Sequence, residues 1–194
     1  GSRFLVVPEG QGVPENLDED IVVLKQPMDH IYMVASAVMD MFRVIDAMDA
    51  VRLSGTDVDG WYIEEAQQAM EDGRILYAGK YSMPDYERIL LEGCRLAIEN
   101  MMITHTPEVQ EQLESFGIPV LIDRSSYELH PLGRMEWVKL YGVLMDKEDE
   151  AEAAFKSRTE ALKDISHQEN TGKTVAFFYL TANGSVNVRK SFDY

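Results

Sequence analysis

Apolar and polar residues alternate along this chain in blocks whose period changes, and the blocks set the expected elements. Two apolar runs open it, "RFLVVPEG" and "DIVVLKQ", joined by a polar stretch with Pro and Gly, and they predict a pair of strands. Across "DHIYMVASAVMDMFRVIDAM", Ile31, Val34, Val38, Phe42 and Ile45 recur at helical spacing and predict one helix. Residues 59–72 predict a second helix, closed by Gly73. A third is expected from "SMPDYERILLEG", with Ser82 as N-cap and Pro84 in its opening turn.

From there the alternation is regular. "LAIENMMI" reads as a strand, and "THTPEVQEQLESFG" as a helix capped by Thr106, opened by Pro107 and stopped by Gly117. "IPVLID" is a short continuous apolar run of the kind buried on both faces, and "LGRMEWVKLYGVLMD" returns to helix. Strand, helix, strand, helix with short connections predicts an α/β lobe built on a parallel sheet with right-handed crossovers. Residues 147–170 differ: they are highly charged, and Ala151, Phe155, Leu162 and Ile165 supply only a partial apolar stripe. At ~1.5 Å per residue such a helix is roughly 36 Å long, enough to bridge two bodies. After it "TVAFFYL" reads as a fresh buried strand and "ANGSVNV" carries the Asn-Gly signal of a tight hairpin. A lone hairpin is marginal in water, so another segment or chain is expected to complete that second sheet. The expected organisation is an N-terminal lobe over 1–146, a long spacer helix over 147–170, and the start of a truncated C-terminal lobe over 171–194.

Composition narrows the function. A formal charge of −16 leaves nothing to neutralise phosphates, which argues against nucleic-acid binding. No run reaches the roughly 18 apolar residues of a membrane span. No signal peptide is visible; the chain opens on Gly1-Ser2, and any leader would lie upstream. The single cysteine, Cys94, lies among apolar residues and reads as a packing residue. The histidines at 30, 105, 130 and 167 lack zinc-site spacing. "LSGTDVDGW" lacks the lysine and glycine spacing of a phosphate loop, and Ser125-Ser126 lacks the glycines of a nucleophile elbow. No enzyme chemistry and no resident cofactor are expected.

Ligands of open parallel sheets bind beyond the carboxyl ends of the strands. That rule selects the segments 26–30, 54–61, 79–82, 103–106 and 123–128, and in them Met28, His30, Trp61, Lys80, Tyr81, His105, Arg124 and Tyr127. Aromatic faces and a few cations suit a large, flat, partly anionic chelate. Arg124 and Tyr127 are the foremost expected contacts, with the "DRSSYE" loop as one wall of a cleft. The plainer reading makes these ordinary polar loop residues.

The order of these blocks resembles the periplasmic binding proteins that deliver ferric siderophores, haem or cobalamin to ABC importers. The resemblance rests on "EDIVVL", "YAGKYSMPDYERILLEGCRLAI", "EVQEQLESFGIPVLI" and "GVLMDKEDEAEAAFKSR". It implies a Rossmann-like three-layer lobe, a rigid helix leading to a second lobe, and non-covalent capture of a metal chelate between the two. It also implies a monomer, an ABC permease as partner, and a periplasmic or lipid-anchored site outside the cytoplasmic membrane. The family motif matches Pro84-Asp85-Tyr86-Glu87, which implies that Glu87 docks onto permease arginines; otherwise Glu87 is a solvated carboxylate favoured by the helix dipole. Two other readings stand beside this one: a metallocofactor-assembly enzyme of similar layout, and a stand-alone sensor or interaction lobe.

Overall fold

The structure is a computed structural model describing residues 3–166, 169, 172–174, 176–181 and 183–189. The chain divides into two units, residues 1–160 and 161–194.

In the first unit β1 (Arg3–Val7) and β2 (Ile21–Lys25) pair in parallel as a small separate sheet, Arg3 opposite Ile21. Next comes a departure from the periodicity. Residues 31–45 are not one helix: Ile31–Met33 form β3, and α1 begins only at Ser36 and runs to Val44. Ile31, Tyr32 and Met33 are all fully buried, so an apolar strand followed at once by an amphipathic helix imitates helical spacing. β4 (Val51–Ser54) follows, a strand the pattern left unpredicted. A single turn of 3₁₀ helix occupies Val58–Gly60, so α2 is shorter than expected, Glu64–Glu71. β5 (Leu76–Tyr77) leads into a miniature antiparallel ribbon of β6 (Gly79–Lys80) and β7 (Met83–Pro84). Ser82 and Pro84 therefore do not open α3 (Tyr86–Leu91). Asp85 caps it instead, its Oδ1 accepting from Arg88 N at 3.0 Å.

β8 (Leu96–Asn100), α4 (Pro107–Ser115), β9 (Val120–Asp123) and α5 (Pro131–Met145) follow in the predicted order. β8 is shorter than expected: Asn100 ends it by capping a 3₁₀ segment over Met101–His105. Thr106 precedes α4, but its hydroxyl makes no capping bond. α5 ends at Asp146, which takes a left-handed conformation (φ 57°), and α6 runs from Glu148 to Ser166. Three acidic residues, Glu148, Asp149 and Glu150, occupy the first turn of α6, where the helix dipole favours them.

The main sheet is all parallel, in the order β5-β4-β3-β8-β9. Alternate residues feed two cores, giving three layers. Ile31, Met33, Leu96 and Ile98 face Val38, Phe42, Ala69, Val138 and Tyr141 of α1, α2 and α5. Tyr32, Val34, Ala97 and Val120 face Ile89, Val109 and Leu113 of α3 and α4. The beginning of α6 lies on the helix layer: Ala151 is fully buried, Lys139 of α5 pairs with Glu152 at 2.7 Å, and its ammonium sits 4.2 Å above the Phe155 ring.

In the second unit β10 (Phe177–Leu180) and β11 (Val186–Arg189) form the expected antiparallel hairpin, Phe177 opposite Arg189. Phe177, Phe178, Tyr179 and Leu180 are exposed and not buried as expected, since a two-stranded ribbon alone has no second layer to cover them. Residues 167, 168, 170, 171, 175, 182 and 190–194, which the sequence assigns to the spacer and second lobe, lie outside the described residues, as do the side chains of 164–166 and 189.

Candidate ligand-binding cleft

The strand order reverses at β3, because β4 and β5 lie on one side of it and β8 and β9 on the other. Such a switch point leaves a crevice beyond the carboxyl ends of the strands. A cleft of about 380 Å³ lies there, lined by Val34, Ser36, Gly55, Thr56, Asp57, Gly60, Tyr77, Lys80, Tyr81 and Asn100.

Each strand contributes through its last residues. Ser54, fully buried at the end of β4, organises the next turn: its Oγ accepts from Thr56 N (3.0 Å) and Trp61 Nε1 (3.1 Å) and donates to Thr56 O (2.6 Å). Asp57 closes the same turn by accepting from Gly60 N at 3.1 Å. Gly55 passes so close to β3 that a Cβ there would stand 3.0 Å from a Val34 methyl. Asn100 crosses the switch point, donating to Val34 O at 3.4 Å and accepting from Met102 N at 2.9 Å. The resulting surface presents hydroxyls from Ser36, Thr56, Tyr77 and Tyr81, one amide, one carboxylate and one ammonium.

The structure brings together only part of the predicted set. Lys80 and Tyr81 line the cleft. Met28 and Trp61 are core residues, buried among the apolar side chains of α1, α2 and the sheet, so neither presents a surface to a ligand. His30 precedes β3 and so stands at the amino edge of the sheet, where it pairs with Asp29 at 3.2 Å. The segment 26–30 was selected because it follows β2, but β2 belongs to the separate small sheet. His105 is exposed at the end of a 3₁₀ segment after β8 and does not line the cleft. Arg124 borders a different, apolar cavity shared with Phe4, Leu24 and Trp137, and Tyr127 is 66% exposed. The Asp123–Tyr127 loop is therefore no wall of this cleft. Glu87 is exposed in the first turn of α3. Arg88 beside it donates to Tyr77 O at 2.8 Å, which holds this helix end at the carboxyl edge of the sheet.

Sequence reasoning missed Ser36, Thr56, Asp57, Tyr77 and Asn100. They are small or common polar residues drawn from four strand ends, with no spacing of their own. The signal available was the Ser54–Trp61 stretch, whose polar turn is now seen to form one rim. Cys94 lies just before β8, at the amino edge of the sheet and away from the cleft; it is half-buried, and burial pushes its thiol up to about 11.

No family model matches the chain. An uncharacterized lipoprotein of Methanocaldococcus jannaschii is 26% identical over 195 residues, covering 92% of this chain and 46% of that protein. The chain thus spans about half the length of the curated relative it matches. Among solved structures, the periplasmic heme-binding protein HutB of Vibrio cholerae aligns with a TM-score of 0.66 at 18% identity, covering 83% of this chain and 58% of that one. The petrobactin-binding protein YclQ from Bacillus subtilis aligns with a TM-score of 0.66 at 12% identity, over 84% and 55%. The periplasmic vitamin B12-binding protein BtuF of Vibrio cholerae gives a TM-score of 0.56 at 15% identity, over 81% and 57%.

The fold is that of the periplasmic binding proteins. Within this fold the cleft at the switch point lies where open parallel sheets hold ligands. Among the described residues no three His, Cys, Asp or Glu side chains converge as metal ligands, and no helix is long and apolar enough to cross a membrane.

Proposed function

We propose that this chain is part of the substrate-binding component of an ABC importer that captures an iron complex (a ferric siderophore or haem) or cobalamin. The observation that carries the reading is the polar cleft at the carboxyl edge of β3, β4, β5 and β8, in a fold shared with heme-, petrobactin- and B12-binding proteins. Cargo is held non-covalently by Lys80, Tyr81 and the hydroxyls around them, and no catalytic step is involved. The helix Glu148–Ser166 serves as the spacer to a second lobe, and residues 171–194 begin that lobe. Glu87, exposed on the same edge of the sheet, docks onto a cationic residue of the permease; a single exposed ion pair steers and registers an encounter more than it tightens it. The relative described as a lipoprotein supports a lipid-anchored or periplasmic location outside the cytoplasmic membrane.

The test is a titration of the intact protein with hemin, cyanocobalamin and ferric siderophores, followed by tryptophan fluorescence and calorimetry. Trp61 is a built-in reporter, because its indole is hydrogen-bonded to Ser54 under the turn that carries Thr56 and Asp57. Saturable binding of one of them is expected, weakened by substitution of Lys80. Absence of binding to every chelate offered overturns the reading.

A further inference from the structure

The ammonium of the cleft stands on the smallest element of the fold, the β6–β7 ribbon, and that ribbon is held unusually firmly. At its base Ala78 N donates to Ser54 O (2.9 Å) and Asp85 N to Ala78 O (2.8 Å). Its two strands approach so closely that only glycine fits at 79. There φ is +83°, and a Cβ would fall 2.3 Å from Met83 O and 2.9 Å from Asp85 N, backbone atoms that cannot yield. The third tie comes from inside the protein. Tyr32, fully buried on the central strand β3, sends its hydroxyl out to donate to Gly79 O at 2.8 Å.

A phenol in the middle of a buried parallel strand is costly unless its hydroxyl is bonded, and this is the bond it makes. Burial first, and the neighbouring Glu99 next, hold the Tyr32 hydroxyl above the usual tyrosine range, which favours the protonated, donating form. Lys80 itself forms no ion pair among the described residues, although Asp and Glu number 34 against 18 Lys and Arg. The acid of the lining, Asp57, has Oδ1 turned inward to Gly60 N. An uncompensated ammonium beside the phenol of Tyr81 and the hydroxyls of Ser36, Thr56 and Tyr77 is a donor surface awaiting oxygen anions.

We propose that the β6–β7 ribbon is a pre-set lip offering Lys80 and Tyr81 to an anionic oxygen group of the cargo, with Tyr32 as its positioning residue. This rests on reading the cleft as the cargo site, and it narrows the cargo to chelates with carboxylate-like groups at their periphery.

Two measurements on the intact protein test it. Hydrogen exchange in the unliganded state reads the lip alone. Tyr32→Phe raises exchange over residues 79–84 about tenfold or more while β8 stays protected, and Gly79→Ala, which reaches the ribbon without altering Tyr32, reproduces the effect. Unchanged exchange at 79–84, or equal acceleration in β8, overturns the positioning role. The second is titration with ferric dicitrate, an anionic ferric carboxylate. Lys80→Met and Tyr32→Phe each weaken binding about tenfold, and the double variant loses clearly less than the product of the two single losses, because Tyr32 acts through Lys80 and Tyr81. Additive losses overturn that coupling. If hemin or cyanocobalamin binds and ferric dicitrate does not, the anionic cargo is wrong and the transport reading stands. If none of the three binds, the transport reading loses its support, and exchange at 79–84 still decides the role of Tyr32.

Discussion

Tyr141 of α5 donates its hydroxyl to Oδ1 of Asp123, the last residue of β9, at 2.9 Å, while Ser125 Oγ holds the other carboxylate oxygen at 2.8 Å. All three side chains are buried. The first carboxylate of the expected cleft wall is thus an internal anchor joining the edge strand to the helix layer. Tyr141→Phe removes one donor and leaves a charged oxygen under-satisfied. A hydrogen bond to a charged group contributes about 1.5–3 kcal/mol, and urea unfolding should show a loss of that size. A change below about 0.5 kcal/mol would mean that water replaces the hydroxyl without cost.

Glu99 makes the opposite arrangement on the other face of the sheet. It is fully buried in β8, neither carboxylate oxygen has a partner among the described residues, and desolvation raises its pKa from 4.5 to about 8. The folded protein keeps this proton where the unfolded chain has released it. Stability from this group is therefore complete below the unfolded value near 4.5 and is lost progressively as pH rises towards about 8. The slope is about 1.4 kcal/mol per pH unit while only the unfolded state is ionised, an upper bound of order a few kcal/mol in total. Glu99→Gln keeps the shape and cannot titrate. The stability of the variant relative to the parent should rise between pH 5.5 and 8 and level off above; parallel curves for the two proteins would contradict it.

Ser54→Ala removes the acceptor shared by the Trp61 indole and the Thr56 amide. The turn over 55–60 should loosen at a cost of about 1–2 kcal/mol, with Trp61 emission shifted. The shift is cleanest in a Trp137→Phe background, since Trp137 donates separately to Glu128 at 3.0 Å. Emission and stability both unchanged would show that Ser54 does not organise the turn.

Much of the fold was legible because α4, β9 and α5 each carry their own start or stop signal: Pro107, Gly117 and the Pro131 turn. β3 was misread because a strand buried on both faces has no alternation, and its apolar run merged with that of α1. β4 escaped because Arg52 interrupts its short apolar run. Arg52 lies at an irregularity of the register, opposite the step from Ile31 to Tyr32, and turns outward to pair with Glu92 at 2.8 Å. The cleft was the least legible part. Carboxyl-edge reasoning named the right segments at 54–61 and 79–82, but a preference for large side chains drew the choice towards Met28 and Trp61, which the core had already taken. Which polar side chains converge depends on strand order, and no local pattern encodes that.

The corner between α5 and α6 is the last place where sequence and packing oppose each other. In a helix interior Ala is favoured over Gly by about 1 kcal/mol, so Gly142→Ala on α5 should stabilise if only propensity mattered. Here a Cβ would fall 2.6 Å from the Cβ of Ala151 and 3.0 Å from Lys147 O. Lys147 N also donates back to Gly142 O at 2.8 Å, and Asp146 holds its left-handed turn between them, so the backbone has no room to retreat. Overpacking of this kind costs about 1–3 kcal/mol and outweighs the propensity gain. Gly142→Ala should therefore lower the unfolding midpoint, whereas Ala151→Gly added to it should recover part of the loss by vacating the same space. A stabilised Gly142→Ala protein would mean that the two helices separate readily at this corner, and the first turns of α6 could then not be a rigid continuation of the helix layer.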